Sequence, residues 1–323
     1  MTTTHGSGAV RQDRTWMVAL AASLWGSSAL MREPLLGMGF SASVIVVAEH
    51  AVLVLCLLPW LGAALRAFGR ASASAKVCVV VIGAGSSALA TTLFTAAFGV
   101  GDPITPQVLQ KLQPVFALLL AVVLLGERLR RRFWLFAVPA VVGAWLLAFP
   151  DPAHVDVRSV QAALLAVGAA ALWAAGTVLG RRVAAELSAT EVTALRFGFG
   201  LLAMLVIVTV KGDWATLQTQ DLSLRALVLV VLLALVPGLL ALRLYYQGLQ
   251  RTPASRATLA ELAFPVTAAV VGVLVLDRTL AVSQWFGFAV VLLSVTALVL
   301  HETGSRRPAV AAPDRADEAV AVG

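Results

Sequence analysis

Apolar residues run along this 323-residue chain in ten long stretches separated by short polar segments: 16–31, 41–61, 77–99, 105–126, 133–149, 160–181, 189–210, 225–248, 254–276 and 282–301. Most come near the roughly 20 residues that a helix, rising 1.5 Å per residue, needs to cross the hydrocarbon of a bilayer. The pattern predicts an all-α, polytopic membrane protein with ten transmembrane helices. The N-terminal segment carries Arg11, Asp13 and Arg14 and no small-residue cleavage site, so it reads as a tail rather than a secretory signal. Residues 302–323, rich in Ala, Pro, Asp and Arg, have no periodicity and read as a disordered tail.

Composition agrees. Sixty per cent of the residues are hydrophobic and 13% charged, against about 25% charged in an ordinary soluble domain. No soluble core absorbs that much apolar surface. The chain also repeats itself. Leu112-Gln113-Pro114-Val115-Phe116-Ala117 is echoed by Ala263-Phe264-Pro265-Val266-Thr267-Ala268, and Leu125-Gly126-Glu127-Arg128-Leu129 by Leu276-Asp277-Arg278-Thr279-Leu280, each 151 positions later. Gly101-Asp102-Pro103 and Arg251-Thr252-Pro253 repeat at 150, Leu24-Trp25 and Leu172-Trp173 at 148. The expected organisation is a tail over 1–15, a five-helix repeat over 16–149, an extracellular or periplasmic linker over 150–159, a second five-helix repeat over 160–301 and a tail over 302–323. Five crossings per half turn the second half over. The result is an inverted-topology repeat, an arrangement that places solute sites near the bilayer midplane between the halves.

Orientation follows from the basic residues. With the N-terminus inside, sixteen Lys and Arg fall on the inner side, Arg66, Arg70, Arg131, Arg181 and Arg182 among them, against Arg32, Arg158, Lys211, Arg225 and Arg278 outside. This bias predicts both termini in the cytoplasm and the chain in the cytoplasmic membrane. The net charge of +7 then belongs to topology and anionic lipid, not to nucleic acid.

Leu24-Trp25-Gly26, the prolines centred in the fourth and ninth spans, Leu125-Gly126-Glu127-Arg128-Leu129, and the run from Leu242 through Tyr245-Tyr246 to Gln250-Arg251-Thr252-Pro253 together resemble the EamA family of the drug/metabolite transporter superfamily, over roughly residues 16–301. The resemblance implies ten helices in two inverted repeats, cytoplasmic termini, a central cavity and movement of small organic metabolites, frequently outward. Two positions depart from the family pattern. Glu49-His50 stands where an Arg-aromatic pair is common, as Arg196-Phe197 is in the second half, and Asp277-Arg278-Thr279 replaces Gly-Glu-Arg.

Ionisable residues inside spans are the candidate chemistry. A charged side chain at a helix centre costs about 2.5–3.5 kcal/mol on insertion scales, so Glu49, Lys111, Arg196 and Glu261 are expected to face the bundle interior. Gln107 and Lys111 are four residues apart, as are Gln110 and Pro114, and Glu261 and Pro265, so each set shares a helix face. Gln110 and Glu261 are repeat equivalents, which places Lys111 and Glu261 across one cavity. They read as a site for a polar or zwitterionic solute, Lys111 facing an anionic group and Glu261 a cationic one; a static ion pair fits the same residues. Glu49, His50 and Arg196 form a second set, with Glu49 falling on Arg196 at a shift of 147. They fit proton coupling, because imidazole titrates near 6.5 and burial raises a carboxyl, or a structural Glu49–Arg196 bridge. Pro114, Pro265 and Pro237-Gly238 break their helices and fit hinges or fixed kinks. Trp25 and Trp173, deep repeat equivalents, fit cavity lining or packing. Trp16, Trp60, Trp134, Trp214 and Trp285 fall near predicted interfaces, as belt anchors do.

Other chemistries lack their residues. Cys56 and Cys78 lie in spans and read as small packing residues. His5, His50, His154 and His301 have no metal spacing, and Gly83-Ala84-Gly85 lacks the third glycine of a dinucleotide fingerprint, so neither a metal nor a cofactor is expected. There is no phosphate-cradling glycine loop, so ATP is not the driving ligand. The sequence thus points to a secondary transporter of a small organic metabolite working by alternating access, with export favoured by resemblance. Proton coupling and oligomeric state are left open. A passive facilitator and a membrane-embedded lipid-modifying enzyme are the competing readings.

Overall fold

The computed structural model describes residues 14–127, 131–151, 153, 155–216, 220 and 222–305. His5, Arg128, Arg130, His154 and most of both tails lie outside the described residues. Among the described residues the elements are helices: α1 (Thr15–Gly26), α2 (Ala29–Gly37), α3 (Ala42–Arg70), α4 (Ala73–Val100), α5 (Ile104–Leu124), α6 (Phe133–Ala148), α7 (Val157–Val183), α8 (Ala189–Lys211), α9 (Leu224–Leu249), α10 (Arg256–Leu274) and α11 (Val282–Thr303). Eight of these, α3 to α5 and α7 to α11, are long and apolar enough to cross a membrane, and α6 is a shorter apolar helix. Their starts follow from local chemistry. The side chains of Ser41, Ser72, Asp156, Ser188 and Ser223 each accept a hydrogen bond from a first-turn backbone N–H, and Ser188 with Glu191 completes a capping box. Helix α7 therefore begins inside the segment expected as a linker.

The first predicted span needs correction. It is two helices rather than one, interrupted at Ser27-Ser28, where the Ser27 hydroxyl donates to Leu24 O at 2.8 Å. A Cβ on Gly26 would strike the Phe264 carbonyl oxygen and come within 3.2 Å of Ala268 N, so glycine is what lets α1 touch the α10 backbone. The chain then continues helical to Gly37, and Arg32, expected in an outer loop, is buried.

Both halves distort their helices at matching places. Helix α4 contains a π-helical stretch over Ile82–Leu89, and α9 one over Ala234–Leu240; such segments often mark functional sites. Helix α5 tightens to a 3₁₀ turn over Gln110–Leu112, and α10 is interrupted between Ala260 and Ala263. Pro114 and Pro265 follow directly, and their missing N–H groups let the preceding turn change geometry. The departure Asp277 is explained too: both Gly126 and Asp277 take left-handed φ values, 68° and 51°, where their helices end. Asp is among the few non-glycine residues that tolerate this region.

The core is made by close helix pairs. Helices α6 and α11 meet at Gly143 and Gly287, where a Cβ on Gly287 would lie 2.6 Å from Gly143 O. Backbones that approach this closely through small residues gain packing that lipid cannot supply. Their neighbours Phe133, Ala140, Leu147, Val291 and Leu298 join Ile104, Leu109 and Ala269 in one buried cluster. Helices α3 and α8 run antiparallel: Ser43 meets Lys211 and Asp213 at one end, and the His50 ring lies against Gly200 further along. Cys78 is buried as expected, whereas Cys56 is exposed on the outer face of α3 with Leu55, Leu58 and Trp60.

Contacts between helix ends sort into two sets. One end holds Glu33–Arg278 at 3.0 Å, Ser43 with Asp213, and Ser283 donating to Pro150 O at 2.6 Å. The other holds Ser72 with Glu186, and Arg181 with Glu127 at 3.5 Å. Bonds from the Ser72 backbone N–H and hydroxyl hold the Glu186 carboxyl below its ordinary range. Single cysteines at Arg131 and Arg181, in a Cys56→Ala, Cys78→Ala background, are therefore expected to react with an impermeant maleimide from the same face of the membrane; labelling from opposite faces would contradict this packing.

Candidate functional site

Lys111 and Glu261 meet where their helices break. Lys111 lies seven residues, or about 10 Å, below the end where α5 starts, and Glu261 lies thirteen residues, or about 20 Å, below that same end on α10. Their long side chains close the difference, leaving Lys111 Nζ 3.9 Å from Glu261 Oε2. Both are partly accessible, with side-chain exposures of 20% and 34%. At this spacing the pair is loose: an optimal charge-assisted N–H···O bond is about 2.7–2.9 Å. Each keeps hydrogen-bonding capacity in hand.

A chain of contacts extends from the pair. Tyr245 donates its hydroxyl to Glu261 Oε1 at 2.6 Å. The Tyr245 ring lies 5.1 Å from that of Trp25, and the Trp25 indole N–H donates to Pro237 O at 2.8 Å. On the other side, Lys111 Nζ sits 5.1 Å from the centroid of the Phe264 ring. Pro237 and Gly238 are in the π-helical stretch of α9, so Trp25 takes its acceptor from the distorted part of that helix. Four helices, α1, α5, α9 and α10, thus converge on one polar centre.

Gln107 and Gln110 flank it with spare acceptors. Gln107 is fully buried and donates its amide to Pro103 O at 3.0 Å, while its Oε1 and that of Gln110 have no hydrogen-bond partner among the described residues. Gln113, two residues past Lys111, donates to the Thr177 hydroxyl at 3.2 Å, which in turn donates to Trp173 O at 3.0 Å. Trp173 itself is elsewhere: its ring packs edge-on against Phe94 at 5.1 Å. The two equivalent tryptophans therefore occupy different environments. Tyr245, which joins Trp25 to Glu261, was quoted in the sequence only as part of a motif; its place opposite Glu261 depends on α1 packing against both α9 and α10.

The second set separates. Glu49 is not bridged to Arg196. Both Glu49 carboxylate oxygens bind Arg32 Nη2, at 3.2 and 3.1 Å, and Arg32 Nη1 donates to the Thr95 hydroxyl at 2.5 Å. His50 faces away from Glu49, bonding Val46 O at 2.9 Å and the Ser87 hydroxyl at 3.1 Å. The reason is depth. Glu49 and Arg196 each lie seven residues from the start of their helix, but α3 and α8 run in opposite directions, so the two charges sit about 10 Å from opposite ends. The equal sequence offset that aligned them is what keeps them apart.

A sequence profile described as the EamA-like transporter family matches residues 15–149 and again residues 160–300. The chain belongs to that family. Among relatives of this EamA-like chain, the riboflavin transporter ImpX of Fusobacterium nucleatum subsp. nucleatum is 30% identical over 296 residues, covering 86% of this chain and 95% of the relative. The uncharacterized transporter YwfM of Bacillus subtilis is 26% identical over 285 residues, covering 87% and 92%. A solved crystal structure shares the fold with a TM-score of 0.56 at 19% identity, covering 91% of this chain and 99% of the other. The protein is accordingly a multi-pass membrane protein of a transporter family, with a small-molecule cargo and the lipid bilayer as its partners. The lipid-modifying enzyme reading loses its ground, since family and relatives are transporters.

Proposed function

We propose that this EamA-like protein is a secondary transporter that moves a small, polar or zwitterionic organic solute across the cytoplasmic membrane by alternating access, with export as the working direction. The observation that carries the reading is the loosely paired, partly accessible Lys111 and Glu261, held at two helix breaks and tied to Trp25 through Tyr245. Ionisable groups at such depth are costly, and where they stay partly accessible they mark a solute path by default. Ten crossings in two inverted repeats, 16–149 and 160–301, with both termini in the cytoplasm, are supported by the sixteen-to-five bias of basic residues and by the matching π-helical and pre-proline breaks. In this reading Lys111 faces an anionic group of the solute and Glu261 a cationic one. Gln107 and Gln110 add acceptors, and the breaks at Pro114, Pro265 and Pro237-Gly238 let the helices move.

Glu49 is committed to Arg32, which leaves Glu261 as the carboxylate open to the solute path. Flux into proteoliposomes tests both levels of the proposal. Saturable uptake of a zwitterionic amino acid or related metabolite is expected, with riboflavin, the solute named for the Fusobacterium relative, as the uncharged comparison compound. Accumulation above equilibrium under an imposed pH gradient marks coupling; equal accumulation with and without the gradient marks a facilitator. No saturable flux for any of a broad metabolite panel would remove the transporter reading.

A further inference from the structure

Among the described residues, the buried or half-buried cations away from the ends of the bundle have a counterion, with one exception. Arg32 is matched by Glu49, Lys111 by Glu261, Glu33 by Arg278, and Asp213 by Lys211. Arg196 is left over. It lies about 10 Å from the Arg181 end of the bundle, half-buried, with no carboxylate in ion-pair range among the described residues. Its Nε is buried without a hydrogen-bond partner, and its guanidinium rests 5.6 Å from the Phe197 ring. The guanidinium is on the inward side of α8: the Phe197 ring on which it rests packs with Leu53 of α3 and Ala234 of α9.

An unmatched guanidinium at this depth is expensive, and the general resolution is an opposite charge or water. Guanidinium has a planar fork that suits oxyanions, and bonds to them are about twice as strong as neutral ones. We infer that Arg196 is an oxyanion subsite: it captures a carboxylate or phosphate group of the solute on the Arg181 side, ahead of the Lys111–Glu261 centre. This deepens the transporter reading and rests on it. The cargo is then an organic compound bearing an oxyanion, and a solute moving inward from Arg196 meets a second cation, Lys111, on its path.

Two measurements test this. In purified protein held in neutral detergent, inorganic phosphate should raise the thermal midpoint above that in sodium chloride of equal ionic strength. Arg196→Gln should weaken the apparent phosphate affinity by about tenfold or more, and Arg196→Lys should retain part of it. No shift with phosphate, or an equal shift in Arg196→Gln, would overturn the inference. So would stabilisation by phosphatidylglycerol but not by phosphate, which would assign Arg196 to a lipid headgroup. In cells, compounds redistributed by the wild type should carry a carboxylate or phosphate, and Arg196→Gln at equal membrane abundance should suppress that redistribution about tenfold. Redistribution confined to uncharged or cationic compounds would overturn the inference. Cells indistinguishable from the vector control would count against the transporter reading instead, and the phosphate titration would still decide on Arg196.

Discussion

Lys111→Gln and Glu261→Gln are each expected to cut transport by about 10- to 100-fold while leaving protein in the membrane, because a hydrogen bond to a charged group contributes about 1.5–3 kcal/mol and each 1.4 kcal/mol is a factor of ten. Loss of transport alone does not separate a solute site from a structural pair, since either role is damaged by a single change. The exchange Lys111→Glu with Glu261→Lys does separate them. It keeps one cation and one carboxylate at the helix breaks, so a purely structural pair would be restored and transport with it. If the two groups contact opposite poles of the solute, exchange presents each pole with its own charge, and transport stays lost. Flux through both single variants and the exchange variant, normalised to membrane abundance, decides between the two. Tyr245→Phe is the companion change. It removes the 2.6 Å bond to Glu261 but keeps the ring against Trp25, so the expected loss is smaller, about 3- to 10-fold.

Why Lys111 and Glu261 were visible in the sequence, and Arg32 was not, comes down to what each position depends on. The repeat relation pairs the two pre-proline turns, and an intramembrane charge needs an interior partner, so two facts readable from residues alone point Lys111 toward Glu261. Helix extents were legible for the same kind of reason: the expected 189–210 is Ala189–Lys211, and 282–301 extends to Thr303. The break at Ser27-Ser28 is different. It is set by Gly26 touching the α10 backbone and by Trp25 reaching Pro237 O, 212 positions away, and no local preference encodes either. The π-helical stretches were hidden because they leave hydropathy unchanged. Arg32 was assigned to a loop since hydropathy falls at Arg32-Glu33, yet that is where burial is restored by a partner on α3. Pairing Glu49 with Arg196 rested on their equal offsets from the helix starts, and in oppositely directed helices equal offsets lie at opposite depths.

The buried Arg32–Glu49 pair carries the largest expected effect on stability. Both side chains are under 10% exposed, and Arg32 joins α2 to α3 and, through Thr95, to α4. Glu49→Gln keeps the shape but leaves the guanidinium without its countercharge, and removing one partner of a buried pair costs about 3–5 kcal/mol. In a membrane the unfolded reference also finds partners for its polar groups, which pulls the expected loss toward about 3 kcal/mol. The double change Arg32→Met with Glu49→Met removes both charges and both desolvation costs. It is expected to lie close to wild type, within about 1 kcal/mol, or above it, as apolar replacements of buried pairs commonly do. Unfolding in mixed micelles of increasing denaturing-detergent fraction measures all three proteins. Should Glu49→Gln unfold with the wild type, the pair would contribute nothing to holding α2, and α2 would owe its position to the apolar cluster of Met31, Leu35 and Ile45 and to the Glu33–Arg278 pair. The double variant also bears on function. The pair then acts as a clasp on that end of the bundle, and the methionine variant is expected to raise solute flux per protein while its stability stays near that of the wild type.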